Sequence, residues 1–229
     1  MQQLGSWSSP EIEELQQNYP GEVYFHGTDM QTAKTIGEQG PRASQCGYHD
    51  FGHGFYTTSS LACALTAAHD RYCTTKAVAT QNVGQRSRSF RESDPAVLCF
   101  VVSRSVLKER GLQGLHLKDD MWAKTVAESH RGNTTNCDLT DMCLEYDYVH
   151  GDLLGNSNGV DYNQAAQPMK VAGKSVQQTV FRKVRPGKNH ALKVLHNSLR
   201  LVVRVNPNGD WGGSHTEKRR QSKPKRQSK

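Results

Sequence analysis

The 229-residue sequence has no long apolar run, and no stretch approaches the ~18 apolar residues that a membrane-spanning helix needs. Its first fifteen residues, MQQLGSWSSPEIEEL, contain no apolar signal core. The chain is therefore expected to be intracellular, cytoplasmic or nuclear, and not in contact with a membrane. Apolar residues make up 35% and charged ones 22%. That is polar for a globular protein, yet not the low-hydrophobicity, high-charge profile of a wholly disordered one. Collagen and coiled-coil classes are excluded by the same composition. There is also no C-x-x-C pair. Cys46, Cys63, Cys73, Cys99, Cys137 and Cys143 are spaced 17, 10, 26, 38 and 6 apart, which fits no zinc template. They read as free thiols, with three bridges in a secreted protein as the competing reading, and no metal is expected. Finally, there is no G-x-G-x-x-G after a strand and no G-x-x-x-x-G-K-[ST]. Standard dinucleotide and P-loop folds are thereby disfavoured.

Charge is present but unevenly placed. The formal net charge is +7, from 29 Lys and Arg against 22 Asp and Glu. Residues 214–229 (SHTEKRRQSKPKRQSK) hold seven of the basic side chains and one Glu, which leaves 22 basic and 21 acidic for residues 1–213. The body is nearly neutral and the tail is basic. A polar, aperiodic tail without aromatics is expected to be disordered. It suits contact with the phosphate backbone of DNA or RNA, or a bipartite nuclear import address, or a solubilising end. The expected division is a capping segment at 1–20, one catalytic domain at 21–213 acting as a monomer, and the tail at 214–229.

Local patterns predict many short strands and a few helices. Ser9 and Pro10 lead a helix over 11–19. Val23, Tyr24 and Phe25 form a strand that His26-Gly27-Thr28 ends in a turn. A helix follows to Gly40, then a loop to Gly54. Phe55 to Thr58 is a strand, and Ser59 or Ser60 caps a helix over 61–72. Residues 74–94 lack a sustained period and read as an exposed loop. AVLCFVVS at 96–103 is the strongest strand. A helix over 117–132 places Met121, Trp122 and Val126 on one face, with Trp122 read as core. A strand over 143–151 alternates Leu144, Tyr146 and Tyr148 against Glu145, Asp147 and Val149, and 151–164 is loop. A strand at 175–184, a helix at 190–200 and a final strand at 199–206 complete the chain. The fold class is α+β with a split or mixed sheet and flanking helices, because strands and helices do not alternate regularly.

The sharpest constellation is V-Y-F-H-G-T at 23–28, followed by D-F-G-H-G-F-Y-T-T-S-S-L-A-C-A at 50–64. A His followed by Gly at a strand end lets a ligand approach the backbone closely. A Tyr suits stacking on a flat heterocycle while its hydroxyl stays polar. His26 and Tyr56 could clamp a ribose and a nicotinamide ring; equally, His26 could cap a strand and Tyr56 belong to the core. Thr28, Asp50 and His53 are expected to line the same cleft, with Asp50 capping the loop or pairing with His53 or Arg131. Arg131 itself could be no more than a solvated helix end.

These motifs resemble the ADP-ribosyltransferase superfamily, in the branch that includes diphtheria toxin and the poly(ADP-ribose) polymerases. The likeness is greatest to a largely uncharacterised, mostly microbial family with Y-H-G-[ST] and D-F-G-x-G-F-Y-x-T motifs. Trp122, Val126 and Arg131 resemble its W-x-x-[FY]-V-x-x-x-R; Tyr146 to Gly151 resemble Y-D-x-V-x-G; Gln178 to Phe181 resemble Q-x-[VI]-F ahead of HALKVL. The resemblance spans about residues 22–196 and implies a mono-ADP-ribosyltransferase using NAD as substrate. His26 would seat the adenosine-side ribose, and Tyr56 would stack on nicotinamide. Gly27, Thr28, Gly54, Phe55 and Ser59 would complete the NAD site. The third position is normally Glu, and here Gln178 stands there with Gln177 beside it. A Gln can hold a ribose hydroxyl but lacks the charge that stabilises a developing cation. Chain extension to a polymer is therefore not expected. Glu145, the nearest alternative carboxylate, reads as an outward strand residue. NAD hydrolysis, or binding of NAD or ADP-ribose without turnover, are the alternatives to transfer onto a protein or nucleic-acid acceptor.

Overall fold

The structure is a computed structural model, and it describes residues 9–43, 50–81, 94–130, 145–155, 168–171, 173–182 and 190–206. In chain order the helices are α1 (Pro10–Asn18), α2 (Met30–Gln39), α3 (Leu61–Gln81), α4 (Arg104–Glu109), α5 (Asp119–His130) and α6 (His190–Asn197). The strands are β1 (Val23–Asp29), β2 (Phe55–Thr58), β3 (Pro95–Val101), β4 (Gly114–His116), β5 (Tyr148–Asp152), β6 (Lys170–Val171), β7 (Lys174–Ser175), β8 (Gln177–Phe181) and β9 (Leu199–Arg204). Seven strands form one sheet in the order β4-β5-β8-β2-β1-β3-β9, and β6 and β7 form a separate hairpin. Only β4 and β5 pair in parallel, so the sheet is mixed and the class is α+β, as the patterning indicates.

The sheet is uneven at its middle. β1 and β3 pair along seven positions, from Val23 opposite Val101 to Asp29 opposite Pro95. β1 and β2 share a single position, Phe25 opposite Thr58. The sheet therefore opens between β1 and β2 beyond that point. α2 and α6 cover one face, where Ala33, Ile36, Leu192 and Leu195 pack on Phe55, Leu98, Phe100 and Phe181. On the other face α1 and α3 bring Ile12, Ala64, Leu65 and Ala68 onto Phe25, Val97, Cys99 and Leu201. α5 covers the far half of that second face, with Trp122 and Val126 against Phe51, Val149 and Val180. Trp122 is core, as its spacing predicts. Ile12 of the amino-terminal segment is fully buried in the same cluster as β3, so α1 is part of the packed body.

Several local signals hold. Ser9 is the N-cap of α1, with Pro10 at its first turn. Ser60 caps α3, its Oγ accepting from the Cys63 N–H at 3.3 Å. Gly40 ends α2 with φ of 88°, a conformation that favours glycine.

Other expectations are corrected. His26-Gly27-Thr28 is not a turn: β1 continues to Asp29, because β3 supplies ladder partners for all three residues. Asp29 then caps α2, accepting from the Thr32 N–H and hydroxyl at 2.8 Å each. α3 runs to Gln81, so residues 74–81 are helical although their sequence shows no sustained period. A helix nucleated by the packed Leu61–Ala68 segment extends at little further cost. β5 starts at Tyr148, and Val149, not the tyrosine stripe, is its fully buried side chain. Glu145 is exposed, as expected, but in the turn before the strand. Met121 is 45% exposed and does not share the buried face of Trp122. α4, β4 and the β6–β7 hairpin carry too few apolar residues to be read from periodicity. Cys63, Cys73 and Cys99 are free thiols. Cys46, Cys137, Cys143, Arg131 and the basic tail lie outside the described residues. Among the described residues no helix is long and apolar enough to cross a membrane.

Candidate functional site

A cleft of about 410 Å³ lies where the sheet opens. Its walls come from β1 (His26, Gly27, Thr28), the Gly54–Tyr56 segment, α2 (Thr32, Thr35, Ile36) and α3 (Ala67, Arg71), with Arg42 beyond α2. The volume is in the range of small-molecule sites. Six of the residues picked from sequence, namely His26, Gly27, Thr28, Gly54, Phe55 and Tyr56, are thus brought to one cleft.

His26 is the best-defined group in it. Its Nδ1 lies 2.7 Å from the carbonyl oxygen of Tyr56. A carbonyl can only accept, so Nδ1 carries the proton and Nε2 is left as the acceptor. Its ring packs against Phe55 with centroids 4.3 Å apart. His26 is half-buried among the residues lining the cleft, and burial disfavours the charged form and pushes its pKa below the ordinary histidine value. The hydrogen bond to Tyr56 opposes that shift without reversing it. The site therefore holds a neutral, oriented imidazole whose Nε2 has the capacity to accept a hydrogen bond.

The two glycines owe their identity to protein packing. A Cβ on Gly27 would overlap the carbonyl oxygen of Ala64 in α3, and one on Gly54 would overlap Val180. α3 lies so close to β1 that only glycine fits between them. This is a different reason from ligand approach, which the sequence suggested.

The side chains of Tyr56 and Gln178 sit apart from His26, on the other face of the sheet. Side chains alternate across a strand, and Tyr56 follows Phe55, so its ring falls on the opposite face, against the cluster of Phe51 and Trp122. The Tyr56 hydroxyl donates to the Gly52 carbonyl at 2.6 Å and accepts from the Phe51 N–H at 3.0 Å, which pins the 50–54 turn. Gln178 is 4% exposed; its Nε2 donates to Asp50 Oδ2 and, at 3.3 Å, to the Asp152 carbonyl. Asp50 also accepts from the Leu154 N–H at 3.2 Å. Asp50 and Gln178 therefore tie β8 to the turn before β2, and neither lines the cleft. His53 is exposed and does not line it either.

Gln177 is the neighbour that shares the His26 face. It is half-buried, and its Nε2 donates to the Asp152 carboxylate of β5. Its backbone carbonyl accepts from the Ser59 N–H at 3.0 Å and from the Thr58 hydroxyl at 3.1 Å. Ser59 is exposed at that same end of β2. The Q-x-[VI]-F resemblance picks out Gln178, but the face each Gln occupies follows only from the pairing of Thr58 with Gln178 and of Asp152 with Gln177.

Two cations unanticipated from sequence stand at the cleft. Arg71, 60% exposed, is 3.6 Å from Asp29. Arg42 donates to Gln39 at 2.8 Å and is also exposed. Both side chains are long enough to turn toward a ligand phosphate. No family model, no curated protein and no solved structure matches this chain.

Proposed function

We propose that the domain binds NAD along the opening between β1 and β2, and that it transfers the ADP-ribosyl group to a macromolecular acceptor, protein or nucleic acid. The observation that carries this reading is His26. It is a neutral imidazole locked by the Tyr56 carbonyl, with Nε2 as acceptor, in a cleft flanked by Arg42 and Arg71. A ribose hydroxyl supplies the donor that such a nitrogen needs, and a pyrophosphate supplies the charge that two arginines would meet. The H-G-T and D-F-G-H-G-F-Y-T motifs at 26–28 and 50–57, through their resemblance to ADP-ribosyltransferases, add support for NAD over other nucleotides.

The reading differs from the sequence-based one in its third group. Gln178 is buried away from the cleft, and Gln177, though on the same face as His26, lies outside its lining too, so neither is given the ribose position. Tyr56 acts by shaping the 50–54 turn and by offering its carbonyl to His26. A second reading, binding of NAD or ADP-ribose without turnover, is favoured by one observation: the position expected to carry the catalytic carboxylate is a buried Gln bonded to Asp50.

Incubation of the protein with NAD labelled on the nicotinamide, with and without cell extract, separates these readings. Nicotinamide release only with extract is the result expected for transfer. Release without extract would mean hydrolysis, and saturable binding without release would mean a binding module. Absence of NAD binding would overturn the whole reading. Deletion of residues 214–229 is expected to leave NAD binding intact, so that any loss of modification on deletion reports acceptor docking.

A further inference from the structure

The sheet face that carries His26 is not uniformly apolar. Residues opposite one another in paired strands share a face, and a polar row crosses this one from β2 to β4. Thr57 stands opposite Thr179, Thr179 opposite His150, and His150 opposite His116. Thr57 and Thr179 are 3% and 2% exposed. Burying such groups is unfavourable unless each is hydrogen-bonded, and here each is. Thr57 donates to the Thr179 carbonyl at 3.0 Å. The Thr179 hydroxyl meets His150 Nδ1 at 2.7 Å and also bonds Tyr24. His150 bonds Gln177, whose Nε2 donates to Asp152. At its β4 end the row comes to the surface. His150 is half-buried there, and the exposed His116 meets it edge-on, with ring centroids 4.8 Å apart.

Cations gather at that end. Arg104, at the start of α4, and Lys118, two residues beyond His116, are both exposed. Neither side chain has a hydrogen-bond or ion-pair partner among the described residues. Arg104 bears electrostatically on Tyr24, His116 and His150 alike, and Lys118 bears on His116. The opposing charges are Asp152, which acts on His116 and accepts from Gln177, and Glu22, which acts on Tyr24. The balance at the two rings is positive. Burial, then Lys118 and Arg104, lower the pKa of His116 against the pull of Asp152. Burial, then His116 and Arg104, push that of His150 down to about 4. Both imidazoles are therefore neutral at neutral pH.

We propose that His116, Arg104 and Lys118 form a binding site for a dianionic phosphate group at this end of the sheet. None of the three lines the cleft beside His26, so the site is a second one and does not rest on the NAD reading. The field that disfavours a proton on either imidazole disfavours a metal cation in the same way. The described residues also hold no group of three ligating side chains suited to a metal. A dianion reverses the preference. Its charge offsets Arg104 and Lys118, and a guanidinium supplies two parallel N–H donors matched to a pair of phosphate oxygens. His116 adds a ring N–H donor. His150, its ring fixed by Thr179, supports His116 from behind. With the anion in place a proton on His116 becomes favourable, so binding takes up a proton.

The test follows the histidine rings of the full chain by NMR as inorganic phosphate is added, with ionic strength held constant by sodium chloride. Saturable shifts of His116 and His150 are expected in the millimolar range. Arg104→Gln, at an exposed position, should leave the unfolding midpoint unchanged and weaken binding about tenfold. His26 is the internal control: shifts there in place of His116 would put the anion at Arg42 and Arg71 of the cleft and overturn the proposal. Sulfate keeps both charges throughout the histidine range, so the pH dependence of its binding reports on the protein alone. Its affinity should rise as pH falls through 6.5, because the bound anion raises the pKa of His116. Ethyl phosphate separates the sources. Affinity equal to that of inorganic phosphate assigns the site to a phosphate carried on a larger molecule, and affinity weaker by about tenfold or more assigns it to the free ion. Rings that move no further in phosphate than in chloride alone, wild-type affinity in Arg104→Gln, or sulfate binding indifferent to pH would each overturn the site.

Discussion

β3 and β8 are both inner strands with antiparallel neighbours on each side, yet they are built oppositely. β3, Pro95–Val101, is apolar at every position and buried at all but its last. Both of its faces meet helices, so a continuous apolar run satisfies it. β8 starts Gln177-Gln178-Thr179 before reaching Val180 and Phe181. Each of its polar side chains must find a partner, and each does: Asp152, Asp50 and His150 respectively. β3 is organised by burial alone. In β8 the partners are specific. The contrast sets two ways of satisfying an inner strand in one sheet: uniform apolar packing on the β3 side, a satisfied polar row on the β8 side.

The contrast can be broken most severely where α3 meets β1. Gly27→Ala forces a methyl into the Ala64 carbonyl, and we expect a loss of about 3 kcal/mol or more in urea unfolding. Gly21, at φ of 75° with open space around its Cβ position, is a control for conformation alone, and Ala there should cost about 1 kcal/mol.

Next in size is Gln178→Glu. If Gln178 were the third catalytic group, restored charge would raise NAD turnover. With Gln178 buried against Asp50, a second carboxylate is placed beside the first, and one of the pair is held protonated. The variant should be less stable by about 2–3 kcal/mol at pH 7. Because the pair's folded pKa is raised, that loss shrinks as pH falls toward 5. Unfolding midpoints at the two pH values, with nicotinamide release measured alongside, check both points.

Tyr56→Phe deletes the hydroxyl bonded to Phe51 and Gly52. A loss of about 1–2 kcal/mol in stability is expected, with NAD affinity little changed. Titration calorimetry showing a tenfold weaker NAD complex would return Tyr56 to a direct ligand role. His26→Ala should do the reverse, weakening NAD binding about tenfold at modest cost in stability.

A further effect is in pH dependence. His26 and His150 both have folded pKa values below the unfolded value of 6.5, His150 at about 4. The unfolded chain therefore binds more protons below pH 6.5, and stability falls progressively between about 6.5 and 4. Unfolding midpoints across that window should decline, and His150→Gln should flatten the decline.

Much of this was legible in the residues. The β-run at 96–101, the Phe55–Thr58 strand and the Gly40 stop of α2 all follow from local pattern. The gathering of His26, Gly27, Thr28 and the Gly54–Tyr56 segment at one cleft was an expectation of the motif resemblance, since the residues alone left cap and core readings open. The helical extension to Gln81 was not legible, because its residues show no sustained apolar period. Nor was the continuation of β1 through His26-Gly27-Thr28, since a Gly-containing strand end and a turn look alike until β3 is alongside.

Composition and local pattern alone determined the class of the fold and a near-neutral body with a basic tail. These are local properties: propensity, spacing and charge along the chain. Only the tertiary structure decided which side each residue serves. Side chains in a strand alternate with a period of two, so a shift of one residue exchanges faces. That exchange separates Tyr56 from Phe55 and Gln178 from Gln177. It also brings Asp152, a residue with no motif of its own, to the face that His26 occupies.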